Sequence, residues 1–227
     1  MIYLTYFPII FISLALIIFQ INPDFYNLMF GILEGGFFEW VQFFCYLFAV
    51  FVTVQCILKN KSQINSMVNI LLSFFAIGCL FIALEEISYG QHIFKWETPT
   101  HFTEINGQRE TNLHNLKFIM ENQIQHIAFV IVGLFGAFSS FFRVNSNLNL
   151  HWRDILFVNK SLALYFLPVA AFYIHISTGG KGHHFQELFE TVLGFGFLLI
   201  AIFNFKTVQS FQKSKFLKLG KSHPVGD

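Results

Sequence analysis

A chain of 227 residues that is 55% hydrophobic and 12% charged, with a mean hydropathy of +0.58, is too apolar for an ordinary soluble domain, where about 25% of residues are charged. Its apolar residues fall in membrane-length blocks, not in an amphipathic rhythm, which points to spans through a lipid bilayer. A net charge of +1 with no basic stripe argues against a nucleic-acid partner, and Cys45, Cys56 and Cys79, scattered through apolar runs, give neither a disulfide framework nor a zinc ribbon.

The first predicted span covers about 2–21 and is an uncleaved anchor, since no basic segment or small-residue cleavage site accompanies it. A connector with Asp24 and Glu34 as its charges lies along the membrane surface. The second span, about 37–58, opens on Glu39-Trp40 and ends at Lys59-Asn60-Lys61. The third, about 67–89, carries Glu85-Glu86 at its far end. A long polar loop follows, with Thr98-Pro99 as a helix start and Thr111-Asn112 as a second start that leads unbroken into the fourth span, about 123–142. The fifth span, about 162–176, contains Pro168 and should kink there. The sixth, about 185–205, follows Gly179-Gly180-Lys181-Gly182 and His183-His184. The expected fold class is therefore all-α: a polytopic six-helix transmembrane bundle, 1–205, with a structured outer loop between helices 3 and 4. A basic tail, 206–227, closes the chain.

Basic residues set the orientation. With the N-terminus inside, the inner segments hold Lys59, Lys61, Arg143, Arg153, Lys160 and the five tail lysines, ten of the fourteen basic residues. That bias places both termini in the cytoplasm of a cell whose inner membrane the chain crosses. Acidic residues and histidines do the opposite. Of these, Asp154, Asp227, His151 and His223 fall inside, and the rest gather at or near the outer face.

At about 1.5 Å per helical residue, Glu39 and Glu85-Glu86 reach the outer boundary of the hydrocarbon core, and His126, His175 and Glu190 lie roughly 4–8 Å below it. Ionisable groups at that depth should face the bundle interior or a wet cavity. Glu85, Ser88 and His92 share a face if the third helix continues that far, as do His183, Glu187 and Glu190 on the sixth, followed by Gly194 for close packing. Asn115, Asn122 and His126 align in the same way.

This layer suggests chemistry. Glu86, supported by Glu85, is the candidate general base. Ser88 is a candidate catalytic hydroxyl without a nucleophile-elbow signature around it. His126, His175, His183, Glu187 and Glu190 are candidate ligands for a divalent metal such as zinc, iron or manganese. Each also has a structural reading: Glu85 and Glu86 could pin the loop through Arg109 or Lys117, and His92, His101 and His114 could be solvated.

The string Glu85-Glu86-Ile87-Ser88-Tyr89-Gly90-Gln91 with the later Asn112-Leu113-His114-Asn115 resembles a little-characterised group of bacterial multipass membrane proteins, a resemblance that carries no assigned activity. Two further families are similar in part. CAAX-type intramembrane proteases share Glu85-Glu86 but have arginine where Gly90 stands. Alkaline ceramidase-like hydrolases share the Ser88/His92 spacing and half of a later histidine pair at His183, with Glu187 in the second place. Both resemblances imply hydrolysis of a lipid or lipid-linked substrate at a buried polar site. Three functions stay open: a membrane-embedded hydrolase of a lipid-like or peptide substrate, a transporter with an outer vestibule, and a non-catalytic scaffold whose loop binds a partner. The inner halves of the helices lack charged residues, which counts against a transport path.

Overall fold

The computed structural model describes residues 2–30, 36–60, 64–107, 109–143 and 150–221. Glu34, Lys61, His223 and Asp227 of the charge pattern lie outside them, as do the side chains of His92, Lys215, Lys218 and Lys221. Among the described residues the regular structure is helical, in chain order α1 (Ile2–Ile21), α2 (Pro23–Phe30), α3 (Phe37–Asn60), α4 (Ser66–Glu86), α5 (Gln91–Phe94), α6 (Thr100–Ile105), α7 (Lys117–Glu121), α8 (Ile124–Phe138), α9 (Trp152–Leu156), α10 (Ala163–Ser177) and α11 (Gln186–Lys221). Six segments are long and apolar enough to cross a membrane: Tyr3–Ile21, Phe37–Asn60, Ser66–Glu86, Ile124–Phe142, Trp152–Ser177 and His183–Ser214. The molecule is an all-α, multipass membrane bundle.

A trio and a pair of helices form its frame. α3 packs between α4 and α11, α8 packs along α10, and α10 meets α11 to join the two groups. Small residues permit the close approaches, as expected where lipid removes the hydrophobic drive for helix association. A Cβ on Gly133 would lie 2.8 Å from the Ala170 backbone nitrogen, and one on Gly136 would lie 2.2 Å from the Phe166 ring. Gly194 is less demanding, since its nearest neighbour would be Cys45 at 3.5 Å. The α8–α10–α11 core is Phe166, Val169, Tyr173 and Val192, and the α3–α4–α11 core is Tyr46, Ala49, Cys79, Ala83 and Ala201. Phe51, Phe74, Ile77 and Ile131 point outward as an apolar coat.

Several boundaries differ from the sequence reading, each for a local reason. α4 ends at Glu86 because Ser88 and Tyr89 adopt left-handed φ values of 46° and 54°, and Gly90 one of 95°. The proposed common face of Glu85, Ser88 and His92 therefore does not exist. The fourth span is not continuous with the helix before it: Gln123, at φ 53°, separates α7 from α8, which breaks the alignment of Asn115 and Asn122 with His126. α6 starts at Thr100 with Pro99 at its cap position, and Thr98 bonds elsewhere. Pro168 sits within α10, which runs on to Ser177. α11 continues to Lys221 through the sequence marked as a tail, because the Lys, Gln and Leu residues there are good helix formers.

Candidate functional site

The end of α4 and the loop after it are tied by their side chains. Glu85 Oε2 accepts hydrogen bonds from the backbone N–H groups of Leu113 (2.9 Å) and His114 (3.0 Å) and lies 3.1 Å from His114 Nδ1. Ser88 donates to Glu110 Oε2 at 2.8 Å, and the Asn112 amide donates to both Ser88 Oγ (3.1 Å) and Glu110. Asn106 donates to the side-chain and backbone oxygens of Asn112 and accepts from the Glu110 N–H. Gln91 donates to Thr98 Oγ1 and accepts from the Thr111 N–H, while Thr98 donates to the Arg109 carbonyl. The Gly107 N–H closes the turn on the Asn115 carbonyl at 2.7 Å. Left-handed conformations at serine and tyrosine are costly, and these bonds hold them in place.

The two motif strings thus bind each other. Glu85, Ser88, Gln91, Asn112 and His114 lock the loop, and Gly90 supplies its turn. Glu85 itself is held by backbone N–H groups and His114, not by a cation; Lys117, one of the expected cationic partners, instead donates to the Glu104 carbonyl. Burial, with help from the neighbouring Glu85 carboxylate, pushes the Tyr89 hydroxyl above the ordinary tyrosine range.

Glu86 has a different setting. One residue on from Glu85, and so about 100° around the helix, it borders a cavity of about 260 Å³ beneath the locked loop. α3 contributes Glu39 to this cavity, and the loop contributes Glu110, Asn112, His114 and Asn115. Gln125 and His126 come from α8, His183 from the turn before α11, and Gln186, Glu187 and Glu190 from α11 itself. Five carboxylates and three imidazoles face one space, and no Lys or Arg is among the lining residues.

Neighbours orient several of these groups. Gln42, fully buried on α3, donates to Glu187 Oε2 at 2.9 Å and to Thr191 at 3.2 Å. The Tyr173 hydroxyl donates to Glu190. The Gln186 amide nitrogen is 3.3 Å from His126 Nε2. With that amide donating, His126 carries its own proton on Nδ1, which has no protein partner. The rings of His126 and His183 stand 6.4 Å apart.

The structure sorts the sequence candidates. Glu86, His126, His183, Glu187 and Glu190 meet at the cavity. His175 does not: its Nε2 lies 3.2 Å from the Lys181 carbonyl, in the turn after α10. Ser88 is fully buried in the loop network, and Glu85 is engaged by the loop backbone. Nor do the expected ligands form a metal centre: among the described residues no three His, Cys, Asp or Glu side chains come together in a ligating arrangement. Glu187 and Glu190 each accept a hydrogen bond from a neighbour, Gln42 and Tyr173 respectively.

Sequence reasoning missed Gln42, Tyr173, Gln186 and Glu110, and it placed His114 in solvent. Gln42 was the readable one, as a lone amide in an apolar run three residues after Glu39. No family model, curated protein or solved structure matches this chain.

Proposed function

We propose that the protein is a membrane-embedded hydrolase acting on an ester or amide bond of a lipid-like or peptide substrate in the cavity beneath the locked loop. The observation that carries this reading is the convergence of Glu86, His126, His183 and Glu190, from three membrane-spanning segments, on one space. Intramembrane ionisable groups mark function more often than architecture, and here the architectural work falls to Glu85.

Glu86 takes a proton from water as its oxygen bonds to the substrate carbonyl carbon. The proton that Glu86 has taken up then passes to the leaving oxygen or nitrogen as the old bond breaks, while the N–H groups of His126 and His183 donate hydrogen bonds to the carbonyl oxygen as charge develops on it. Gln42 and Tyr173 are positioning residues that fix Glu187 and Glu190. The bias of basic residues toward the far end of the bundle supports a cavity on the outer side of the cell membrane and cytoplasmic termini.

The test is hydrolysis of a panel of fluorogenic lipid esters, lipid amides and a transmembrane peptide by wild type and Glu86→Gln. Activity should fall by about 100-fold or more in the variant, with helical circular dichroism and thermal unfolding unchanged. Full activity in Glu86→Gln, or loss of its fold, overturns the proposal. The hydrogen-bonded loop favours a second reading, a scaffold presenting that loop to a partner protein; absence of hydrolysis across the panel would favour it.

A further inference from the structure

We infer that the substrate is a lipid and that its acyl chain enters sideways from the bilayer into a cleft between α4 and α8. This rests on the hydrolase reading and narrows its substrate class. α4 is packed on α3 and α8 on α10, and these two helices make no extensive contact with each other. The space between them holds an apolar cavity of about 300 Å³, walled by Phe81 and Ile82 of α4 and by Ala128 and Val132 of α8, with Phe197 of α11 at its back.

This cleft and the polar cavity adjoin. Glu86, His114, Gln125 and Glu190 line both. Below, Val132 and Phe197 are shared with a second apolar cavity of about 280 Å³ that includes Phe75 and Leu71. From Glu86 to Phe75 is eleven residues of helix, about 16 Å, which matches half of a bilayer core about 30 Å thick. A chain anchored at the carboxylate layer can therefore lie at full leaflet depth.

The lining also decides between lipid and peptide. Below Glu86 and Glu190 the polar side chains lining the two apolar cavities are Tyr46 and, lower down, Asn204. An extended peptide there would leave its N–H and C=O groups without partners, at several kcal/mol each. A helical peptide is about 10–12 Å across with its side chains, too wide for cavities of this volume. An acyl chain has no polar groups to satisfy. Because no Lys or Arg lines the polar cavity to counter a phosphate, the suitable probe is neutral.

The experiment uses the full chain in lipid nanodiscs with a diacylglycerol carrying a photoreactive diazirine on one acyl chain. Labelled peptides are mapped by mass spectrometry. Labelling should concentrate on Phe81, Ile82, Ala128 and Val132, saturate with unlabelled diacylglycerol, and fall about tenfold in Ala128→Trp, a loss of about 1.4 kcal/mol in binding. If Ala128→Trp misfolds, Ala128→Cys alkylated after folding with N-benzylmaleimide fills the same place, since Cys45, Cys56 and Cys79 are buried.

Labelling spread evenly over the outward faces, Phe51 and Phe74 included, and indifferent to the Ala128 change means bulk bilayer lipid and overturns the inference. The two proposals fail separately. Saturable labelling of the cleft without hydrolysis of any substrate sinks the hydrolase reading and keeps the lipid site. Hydrolysis that survives a blocked cleft keeps the enzyme and sinks lateral entry.

Discussion

Glu85 Oε2 lies 3.0 Å from the backbone nitrogen of His114 and 2.9 Å from that of Leu113, so one carboxylate at the end of α4 holds the return of a loop that leaves the helix and comes back 28 residues later. Two part-buried N–H groups lose their acceptor in Glu85→Ala. Leaving them unsatisfied costs about 2 kcal/mol, within the range for such groups. Amide exchange at Leu113 and His114 should accelerate about 30-fold, while amides in α10, outside the loop, keep their wild-type rates. Unchanged exchange at those two amides would show that the loop is held elsewhere.

Ser88 distinguishes a nucleophile from a strut. Its hydroxyl is fully buried between Glu110 and Asn112, with no path to a substrate. Ser88→Ala removes a hydrogen bond to a carboxylate, a loss of about 1.5–3 kcal/mol of local stability, and hydrolysis should persist at a reduced level. A fluorophosphonate probe should leave Ser88 unmodified, as read by mass spectrometry of the labelled protein. Covalent capture of Ser88 would return it to the catalytic set.

Tyr89 gives the loop an alkaline limit. Its hydroxyl holds its proton more tightly in the folded protein than in the unfolded chain. Stability from its hydrogen bond to the Glu85 carboxylate is complete below the ordinary tyrosine value and is lost as pH rises above that value toward the higher folded-state one. Cleavage of the 91–116 loop by subtilisin should increase as pH rises above about 10, and Tyr89→Phe should flatten that part of the profile. A profile identical in the two proteins would assign the alkaline response to other groups.

The parts of this molecule that could be read in one dimension are those governed by the bilayer. Six apolar blocks must become helices because lipid leaves their backbone groups no other partner, and the outward drift of Glu39, Glu86, His126 and Glu190 survives as a shared cavity. What could not be read depends on the loop closing. Glu85 and Glu86 look equivalent until Ser88 and Tyr89 turn left-handed and the 112–115 segment returns; then one binds backbone and the other faces the cavity. The reading of His175 rests on depth, and depth says nothing about direction. Its ring turns into the Gly180–Lys181 turn, away from Glu190. Tyr173, two residues earlier and buried, reaches Glu190 instead.

The scattered ligand set predicts how the protein responds to metal removal. His126 and His183 are separated by 6.4 Å between ring centres, and the nearby carboxylates already accept from Gln42 and Tyr173. Elemental analysis of detergent-purified protein should find no stoichiometric zinc, iron or manganese, and chelation should leave the thermal midpoint unchanged. A bound metal that is lost in His183→Ala/Glu187→Ala would mean that the cavity contracts around an ion, and Glu86 would then act on metal-bound water.

Helix packing offers a sharper contrast within a single substitution type. A methyl group on Gly136 would fall 2.2 Å from the Phe166 ring, which is itself buried, and one on Gly133 would fall 2.8 Å from the Ala170 backbone. Neither neighbour can swing aside, so α8 and α10 must separate, at a cost of about 1–3 kcal/mol for either Ala variant. On the ordinary scaling for a chain of this length the thermal midpoint drops by about 5 °C. Gly78 in α4 has no atom within 4 Å of the same added methyl, and there alanine should be neutral or gain up to about 0.5 kcal/mol from lost chain flexibility. Thermal unfolding of the three variants in one detergent separates these outcomes. Equal midpoints for Gly136→Ala and Gly78→Ala would mean that the α8–α10 contact is looser than its glycines require.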